Sequence, residues 1–155
     1  MEKEKQITMI REAGVIAIIR ANTSGDLLEA AEAVKAGGLN TIEVTITTPD
    51  ALNVIAKATE NSGDQVLFGA GSVLVPETAR AAILAGAQFI VSPTLNIKTI
   101  EICRRYSKTI VAGCFTPTEI QTAWQQGADF VKVFPADVGV VLLRVASSLL
   151  TVCFE

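Results

Sequence analysis

The sequence predicts an α/β fold in which consecutive βα units wind into a barrel. Six short runs rich in β-branched and aromatic residues alternate with helical stretches, and they begin about 23 positions apart, the length of one βα unit. The second run has one polar face and one apolar face. Because helices cover both faces of an open doubly wound sheet, a polar face indicates the interior of a closed barrel.

The composition is that of a single globular domain. Of the 155 residues, 50% are hydrophobic and 19% are charged, so the chain is long and apolar enough for one buried core. The net charge is -3 and no basic run occurs, which excludes a nucleic-acid interface and a basic membrane-binding surface. We therefore expect residues 1–155 to form one domain whose partner is a small molecule.

The residue types present limit the possible chemistry. The absence of histidine excludes the usual catalytic triads and histidine metal sites. Cys103, Cys114 and Cys153 lack the spacing of a zinc or disulfide site, and we interpret them as small buried hydrophobes. The N-terminus lacks the apolar core of a secretion signal, and no stretch reaches the roughly 18 apolar residues of a membrane span, so a cytoplasmic protein is expected.

The predicted elements follow one another along the chain. Residues 1–13 form an amphipathic helix in which Ile7, Met9 and Ile10 lie among charged residues. Six strand candidates come next, at 15–20, 41–46, 66–68, 88–91, 109–112 and 129–134.

Glycines and prolines mark the ends of the helices between these strands. Glycines that precede a strand predict left-handed helix ends, at Gly37-Gly38, Gly86 and Gly127. Prolines predict first helical positions, at Pro49, Pro76 and Pro117. Thr116 and Glu119 have the spacing of a capping box. No linker composition interrupts this rhythm, which again favours one domain.

Two charged side chains are predicted to meet inside the barrel. The polar face of the second strand carries Thr41, Glu43, Thr45 and Thr47, opposite Ile42, Val44 and Ile46. Lys132 lies in the sixth strand among apolar neighbours. A carboxylate on the second strand and an amine on the sixth converge across a barrel, where each shifts the proton affinity of the other.

Each of these two residues has a structural alternative to a catalytic role. A lysine in an apolar strand either extends to water, pairs with a carboxylate, or loses its proton and becomes an amine nucleophile. An amine that attacks a ketone gives a carbinolamine and then an iminium, and both steps need a proton shuttle. Glu43 is the candidate shuttle, and its alternative is a simple ion pair with Arg20 or Lys132.

The residues after the strands are the candidates for substrate binding. The glycines of 69–72 (GAGS) allow the backbone to approach a ligand beside the Ser72 hydroxyl, or form a mere tight turn. Leu74 stands where a dinucleotide loop needs its third glycine, so we reject that motif. Tyr106 and Trp124 are interpreted as packing residues. The residues expected around the mouth of the barrel are Arg20, Thr47, Ser72, Pro93, Phe115 and Phe134.

Over about residues 5–137 the chain resembles the 2-keto-3-deoxy-6-phosphogluconate and 4-hydroxy-2-oxoglutarate aldolase family. The resemblance rests on segments in the same order along the chain, 14–20 (GVIAIIR), 42–45 (IEVT), 69–73 (GAGSV), 89–93 (FIVSP), 113–119 (GCFTPTE) and 130–136 (FVKVFPA). It implies a class I aldolase on a (β/α)8 TIM barrel.

The resemblance also implies roles for individual residues. Lys132 would be the Schiff-base lysine and Glu43 the acid/base, with Ser72 where the family usually has threonine and with Pro93 and Phe134 shaping the pocket. The reaction would be the reversible cleavage of a 2-keto-4-hydroxy acid to pyruvate and an aldehyde, with no metal or cofactor, in a homotrimer.

Two departures from the family pattern are visible. Thr47 replaces the arginine that often holds the substrate carboxylate, which leaves this task to Arg20, Ser72 and the backbone. The predicted barrel stops after about the sixth βα unit, since a seventh strand is due only near residue 150, and the apolar tail 138–155 diverges from the family. The alternatives are an impaired fragment of such an aldolase, or another phosphate-binding barrel such as an isomerase or synthase.

Overall fold

The structure is a computed structural model that describes residues 1–20, 23–136 and 150–152. Helices and strands alternate from Lys3 to Val133, and one further strand is described after them. The helices are α1 (Lys3–Ala13), α2 (Ser24–Ala36), α3 (Ala51–Ser62), α4 (Pro76–Leu84), α5 (Ile97–Arg105) and α6 (Pro117–Gln125). The strands are β1 (Ala17–Ile19), β2 (Thr41–Thr45), β3 (Leu67–Gly71), β4 (Phe89–Val91), β5 (Thr109–Cys114), β6 (Phe130–Val133) and β7 (Leu150–Val152).

The strands form one parallel sheet in the order of the sequence, from β1 to β7. Each strand therefore lies beside the next one in the chain, and the order never reverses as it does in a doubly wound sheet. Among the described residues, no backbone hydrogen bonds pair β1 with β7. The predicted α/β class, the parallel sheet and all six predicted strands are confirmed.

The sheet has an apolar core on each side. On the outer side, residues such as Ile42, Val44 and Val131 pack against the helices. On the inner side, a smaller cluster is built from Ile10, Leu67, Phe89, Val91, Val111 and Phe130. Helix α1 contributes Ile7, Met9 and Ile10 to this inner cluster, as its predicted amphipathic character requires.

A buried glutamine attaches α1 to the sheet. Gln6 is fully buried, and its Oε1 accepts hydrogen bonds from the backbone N–H and the hydroxyl of Thr109, both at 3.0 Å. Its Nε2 donates to the carbonyl of Met1 at 3.1 Å. The side chain thus satisfies the first backbone N–H of β5, which would otherwise be buried without an acceptor.

Most of the predicted helix ends are confirmed. Gly38, Gly86 and Gly127 have positive φ angles of 89°, 109° and 86°, whereas Gly37 has a right-handed conformation. Pro76 and Pro117 lie in the first turn of their helices. The capping box is confirmed too, since the Thr116 hydroxyl accepts from the N–H of Glu119 and the carboxylate of Glu119 accepts from the N–H of Thr116.

The helix start predicted at Pro49 is wrong. The chain first forms a turn, in which the N–H of Thr48 donates to Thr45 and the N–H of Ala51 donates to Thr48. Asp50 then takes a left-handed conformation with φ of 58°, and α3 begins only at Ala51.

The sheet has one strand more than the six βα units predicted, because β7 lies parallel to β6. The rest of the divergent tail, including Cys153, lies outside the described residues.

Cys103 and Cys114 are buried free thiols, as predicted, and burial raises the pKa of Cys103 to about 12 and that of Cys114 to about 11. Within the part of the chain that the structure covers, every helix is too short or too polar to span a bilayer.

We expect Gln6→Met to lower the free energy of unfolding by about 1–3 kcal/mol, because it leaves the N–H and hydroxyl of Thr109 buried without their acceptor. Urea titration monitored by circular dichroism measures this loss. The matched control is Gln121→Met on the exposed side of α6, which should change stability by less than about 0.5 kcal/mol. Equal losses in the two variants would contradict the role assigned to Gln6.

Candidate active site

Glu43 and Lys132 are the two charged residues buried in the sheet. Glu43 lies in β2 and is 3% exposed, and Lys132 lies in β6 and is 8% exposed. Ile42 and Val44 belong to the outer core, so by the two-residue period of a strand Glu43 points to the inner side. Phe130 belongs to the inner cluster and Val131 to the outer core, so Lys132 points to the inner side as well. The predicted placement of this pair on the inner face is confirmed.

The electrostatic environment of Glu43 is set by burial and by two cations. Burial raises the pKa of Glu43 above its ordinary value, and the positive charges of Lys132 and Arg20 oppose this shift only in part. The protonated carboxylic acid therefore persists to higher pH than in an exposed glutamate. A carboxyl group that keeps its proton to higher pH is a candidate proton donor as well as a proton acceptor.

Two glycines of β3 make room for interior side chains. A Cβ atom at Gly71 would lie 1.7 Å from the Oε1 atom of Glu43, and a Cβ at Gly69 would lie 2.4 Å from the ring of Phe89. Both glycines are inside the strand and not in the loop after it. The alternative of a tight turn is therefore wrong, whereas the close approach of a ligand stays a prediction. Glycine is the only residue type small enough at these two positions, because the side chains of Glu43 and Phe89 lie over the β3 backbone.

The amine of Lys132 lies over an aromatic ring. Its Nζ atom is 4.7 Å from the centroid of the Phe134 ring, within the range of a cation–π interaction. Phe134 directly follows β6, and its N–H donates to the carbonyl of Cys114 at 3.1 Å, which extends the pairing of β6 with β5. The ring is thus held on a fixed backbone beside the amine.

A bend after β4 lies against β5 next to Lys132. Gly113 is the residue of β5 in register with Lys132. A Cβ atom at Gly113 would lie 2.2 Å from the carbonyl carbon of Pro93, so the Ser92-Pro93 backbone occupies this space. The buried Ser92 hydroxyl accepts from the N–H of Gly113 at 3.3 Å. Our sequence analysis gave no role to Ser92 or Gly113, although a glycine within an apolar strand is a signal of close backbone approach.

The other predicted site residues follow the ends of β1, β2, β3 and β5. Arg20 is exposed and acts on Glu43 through its charge. Thr47 and Phe115 are exposed, and Ser72 is half-buried with a left-handed φ of 58°, an uncommon conformation for a residue with a side chain. The structure thus brings Glu43, Lys132, Arg20 and Phe134 together, with Pro93 close by through Gly113. Thr47 and Ser72 lie at the same edge of the sheet, after β2 and β3.

A hydroxyl pair that the sequence analysis did not single out lies beyond Glu43. The hydroxyl groups of Thr45 and Thr48 are 3.2 Å apart and buried, and they fix the turn that leaves β2.

Tyr106 and Trp124 pack against the outer core, as predicted. In the ranges described, no group of three histidine, cysteine, aspartate or glutamate residues is arranged to hold a metal ion.

We expect the stability of the protein to fall as the pH rises above 4.5, the ordinary pKa of a glutamate, because the raised pKa of Glu43 means that the folded state binds more protons than the unfolded state there. Glu43→Gln removes this contribution, so its free energy of unfolding should fall less steeply with rising pH. Urea titrations at several pH values between about 4.5 and 7 measure the difference.

The control for this pH dependence is Glu101→Gln, which changes an exposed carboxylate on α5. It should keep the slope of the unmodified protein. If Glu43→Gln has that same slope, the raised pKa of Glu43 is contradicted.

Comparison with known proteins shows the family of the chain. The family model described as KDPG and KHG aldolase matches residues 7–152, beyond residue 137 where the resemblance in the sequence ends. A 2-dehydro-3-deoxy-phosphogluconate aldolase from Treponema pallidum is 38% identical over 123 residues, which are 79% of this chain and 58% of that protein. A 2-dehydro-3-deoxy-6-phosphogalactonate aldolase from Escherichia coli is 35% identical over 122 residues, covering 79% of this chain and 60% of that protein.

Solved structures extend the comparison to the fold. A KDPG aldolase from Legionella pneumophila, with pyruvate captured at low pH as a covalent carbinolamine intermediate, superposes with a TM-score of 0.84 at 26% identity and covers 96% of this chain and 74% of that one. A native KDPGal structure gives a TM-score of 0.79 at 34% identity, and the match covers 88% of this chain and 69% of that one. This chain spans about 60% of the length of the curated relatives that it matches. On the strength of the family match and of these relatives, the chain belongs to the KDPG and KHG aldolase family.

Proposed function

We propose that this protein is a class I aldolase that cleaves a 2-keto-4-hydroxy acid to pyruvate and an aldehyde through a Schiff base on Lys132. The observation that carries the proposal is the burial of one amine and one carboxyl group on the same inner face of the sheet. The names of the relatives support it, because they are aldolases of 2-dehydro-3-deoxy sugar acids. These names give no support to an isomerase or synthase.

The first half of the reaction forms the iminium. The neutral Nζ of Lys132 attacks the C2 carbonyl carbon, and the carbonyl oxygen takes a proton to give a carbinolamine. The protonated carboxyl group of Glu43 then donates a proton to the carbinolamine hydroxyl, which leaves as water. The raised pKa of Glu43 supports this step, because its carboxyl group keeps a proton to higher pH than an exposed glutamate does.

The second half breaks the carbon–carbon bond. The carboxylate of Glu43 accepts the proton of the C4 hydroxyl, the C3–C4 electron pair moves into the iminium to form an enamine, and C4 departs as the aldehyde carbon. Protonation of the enamine at C3 and addition of water then release pyruvate and restore the amine. One carboxyl group close to the amine supplies every proton transfer in this sequence.

Substrate binding is proposed at the edge formed by the residues after the strands. Arg20, Thr47 and Ser72 would hold the substrate carboxylate, and Pro93 and Phe134 would border the reacting carbon. The substrates of the relatives make 2-dehydro-3-deoxy-6-phosphogluconate and 4-hydroxy-2-oxoglutarate the first candidates. No metal or cofactor is needed, since the iminium is the electron sink.

We further propose that the parallel sheet belongs to a (β/α)8 barrel, that residues 1–155 act as one domain of it, and that the protein assembles as a homotrimer. The sequential strand order and the solved relatives support the barrel. A designed protein cage made by fusing symmetric oligomeric domains has a TM-score of 0.79 at 33% identity over 88% of this chain and 53% of the cage chain, which supports a symmetric assembly. The cytoplasmic location stays a prediction.

We expect incubation with pyruvate and sodium borohydride to attach a reduced pyruvate adduct to Lys132, because borohydride reduces the iminium irreversibly. Mass spectrometry of proteolytic peptides locates the adduct. Lys132→Arg should abolish it. The control is Lys108→Arg, because burial lowers the pKa of Lys108 and makes its amine more reactive, and its replacement should leave the adduct in place. An adduct on Lys108, or none on Lys132, would exclude the proposed nucleophile and favour an impaired fragment.

We expect Gly71→Ala to slow proton exchange at the methyl group of pyruvate, because its Cβ displaces the carboxyl group of Glu43. Proton NMR in deuterium oxide measures the exchange, which requires the enamine and its acid/base. A loss of about 10²–10⁴-fold, similar to that of Glu43→Gln, is expected. Gly69→Ala is the matched control, because it displaces the Phe89 ring in the same strand and leaves Glu43 in place. Equal losses per folded molecule in the two alanine variants would show that packing, and not the carboxyl group, is responsible.

A further inference from the structure

Exposed apolar side chains are concentrated at the carboxyl-terminal edge of the sheet. Of the seven large apolar residues that are exposed in the described ranges, only Val15 and Leu84 lie at the opposite edge. The other five lie in the segments that follow β2, β3, β4 and β5, and they are Leu52, Leu74, Val75, Ile97 and Phe115. Single exposed apolar residues are ordinary, so the significance of this group depends on whether its members form one surface.

Hydrogen bonds and strand order join four of these residues into one surface. The Nδ2 atom of Asn96 donates to the carbonyl of Leu74 at 3.0 Å, which ties the start of α5 to the segment after β3. Phe115 follows β5, and β5 pairs with β4, so Phe115 lies next to the segment after β4. The N–H of Phe115 donates to the carboxylate of Glu119 at 2.9 Å, which fixes its backbone at the start of α6. The surface is called the apolar patch and consists of Leu74, Val75, Ile97 and Phe115.

The segments that carry the apolar patch contain no charged residue. They are 71–76 (GSVLVP), 92–97 (SPTLNI) and 113–118 (GCFTPT). Exposed charged residues follow directly, at Glu77 and Lys98. An apolar centre without charge inside a polar rim is the composition of a protein–protein interface.

A second copy of this chain fits the apolar patch better than substrate does. The proposed substrates are anions, which need cationic groups and hydrogen-bond donors and not apolar side chains. The net charge of -3 makes copies of the chain repel one another, but least where both present side chains without charge. The designed cage whose chain resembles this one is built from symmetric oligomeric domains, which favours a copy of the same chain over an unrelated partner.

We propose that the apolar patch is the surface through which copies of this chain bind one another, with the patches of neighbouring copies in contact. The proposal rests on the homotrimer proposed above and names the surface that forms it. Ser72 and Pro93 belong to the same segments as Leu74 and Ile97. The contact between copies therefore lies beside the mouth of the site and holds these segments in place.

The test compares the unmodified chain with two variants by sedimentation velocity over a range of protein concentrations. Leu74→Glu places a charge in the apolar patch. Leu84→Glu is the matched control, because Leu84 is 61% exposed against 56% for Leu74 but lies at the opposite edge of the sheet. We expect Leu74→Glu to raise the dissociation constant of the assembly about 30-fold or more, the effect of losing a central interface residue. Leu84→Glu should leave the dissociation constant unchanged, and circular dichroism checks that both variants fold.

A second measurement uses the unmodified protein and does not depend on the folding of a variant. Hydroxyl-radical footprinting read by mass spectrometry compares the oxidation of Leu74 and Phe115 with that of Leu84 as the protein concentration rises. We expect the oxidation of Leu74 and Phe115 to fall several-fold as the molar mass increases. The oxidation of Leu84 should stay constant.

Three results would overturn the proposal. They are a monomer at every concentration, equal dissociation constants for Leu74→Glu and Leu84→Glu, and protection of Leu74 already in the monomer, which would mean that another segment of the same chain covers the apolar patch. Pyruvate trapping on Lys132 is a separate readout. Assembly that is lost in Leu74→Glu without any trapping would exclude the aldolase function and leave this inference standing, whereas trapping by a monomer would do the reverse.

Discussion

A carboxyl group and an amine lie in the apolar interior of the sheet, and the rest of the structure is arranged around their burial. Neither group is stable there as an isolated charge, since transfer of an unpaired ion from water to a protein interior costs several kcal/mol. The charges of Lys132 and Arg20 reduce this cost for Glu43 but do not cancel it, so the pKa of Glu43 stays raised. The pair is thus held where one member keeps its proton to higher pH than an exposed carboxyl group does.

The space for this pair is provided by residues without side chains. Gly71 leaves room for the carboxyl group of Glu43, and Gly113 leaves room for the Ser92-Pro93 backbone beside Lys132. The interior is otherwise filled by residues such as Phe89 and Phe130. Because protein interiors are close-packed, a single methyl group at these glycines would move a functional group by about the length of a bond or more. The positions of Glu43 and of the Ser92-Pro93 backbone therefore depend on the missing side chains of Gly71 and Gly113.

The sequence predicted the strands and the buried pair correctly for the same physical reason. Alternation with a period of two residues is a local property, so it placed Ile42 and Val44 against helices and Glu43 inside from β2 alone. The even spacing of the strands likewise reflected the fixed size of a βα unit.

Tertiary contacts explain what the sequence did not predict. The positions of Gly71 and Gly113 are decided by groups that arrive from neighbouring strands, and composition does not say which ones arrive. The turn formed by Thr45 and Thr48 delays α3 to Ala51 against the preference of Pro49 for a first helical turn. The strand β7 lies in a tail whose apolar run has no period that distinguishes strand from helix.

The attachment of Gln6 to Thr109 joins residues that are 103 positions apart in the chain. During synthesis the first helix leaves the ribosome early, but its acceptor site on β5 exists only after more than a hundred residues have been made. Until then Val111 and Phe130 are missing from the inner cluster that Ile7, Met9 and Ile10 cover. Contacts of such long range form slowly. A nascent chain of this protein therefore exposes the apolar face of its first helix for roughly 5–20 seconds, while about a hundred further residues are synthesised.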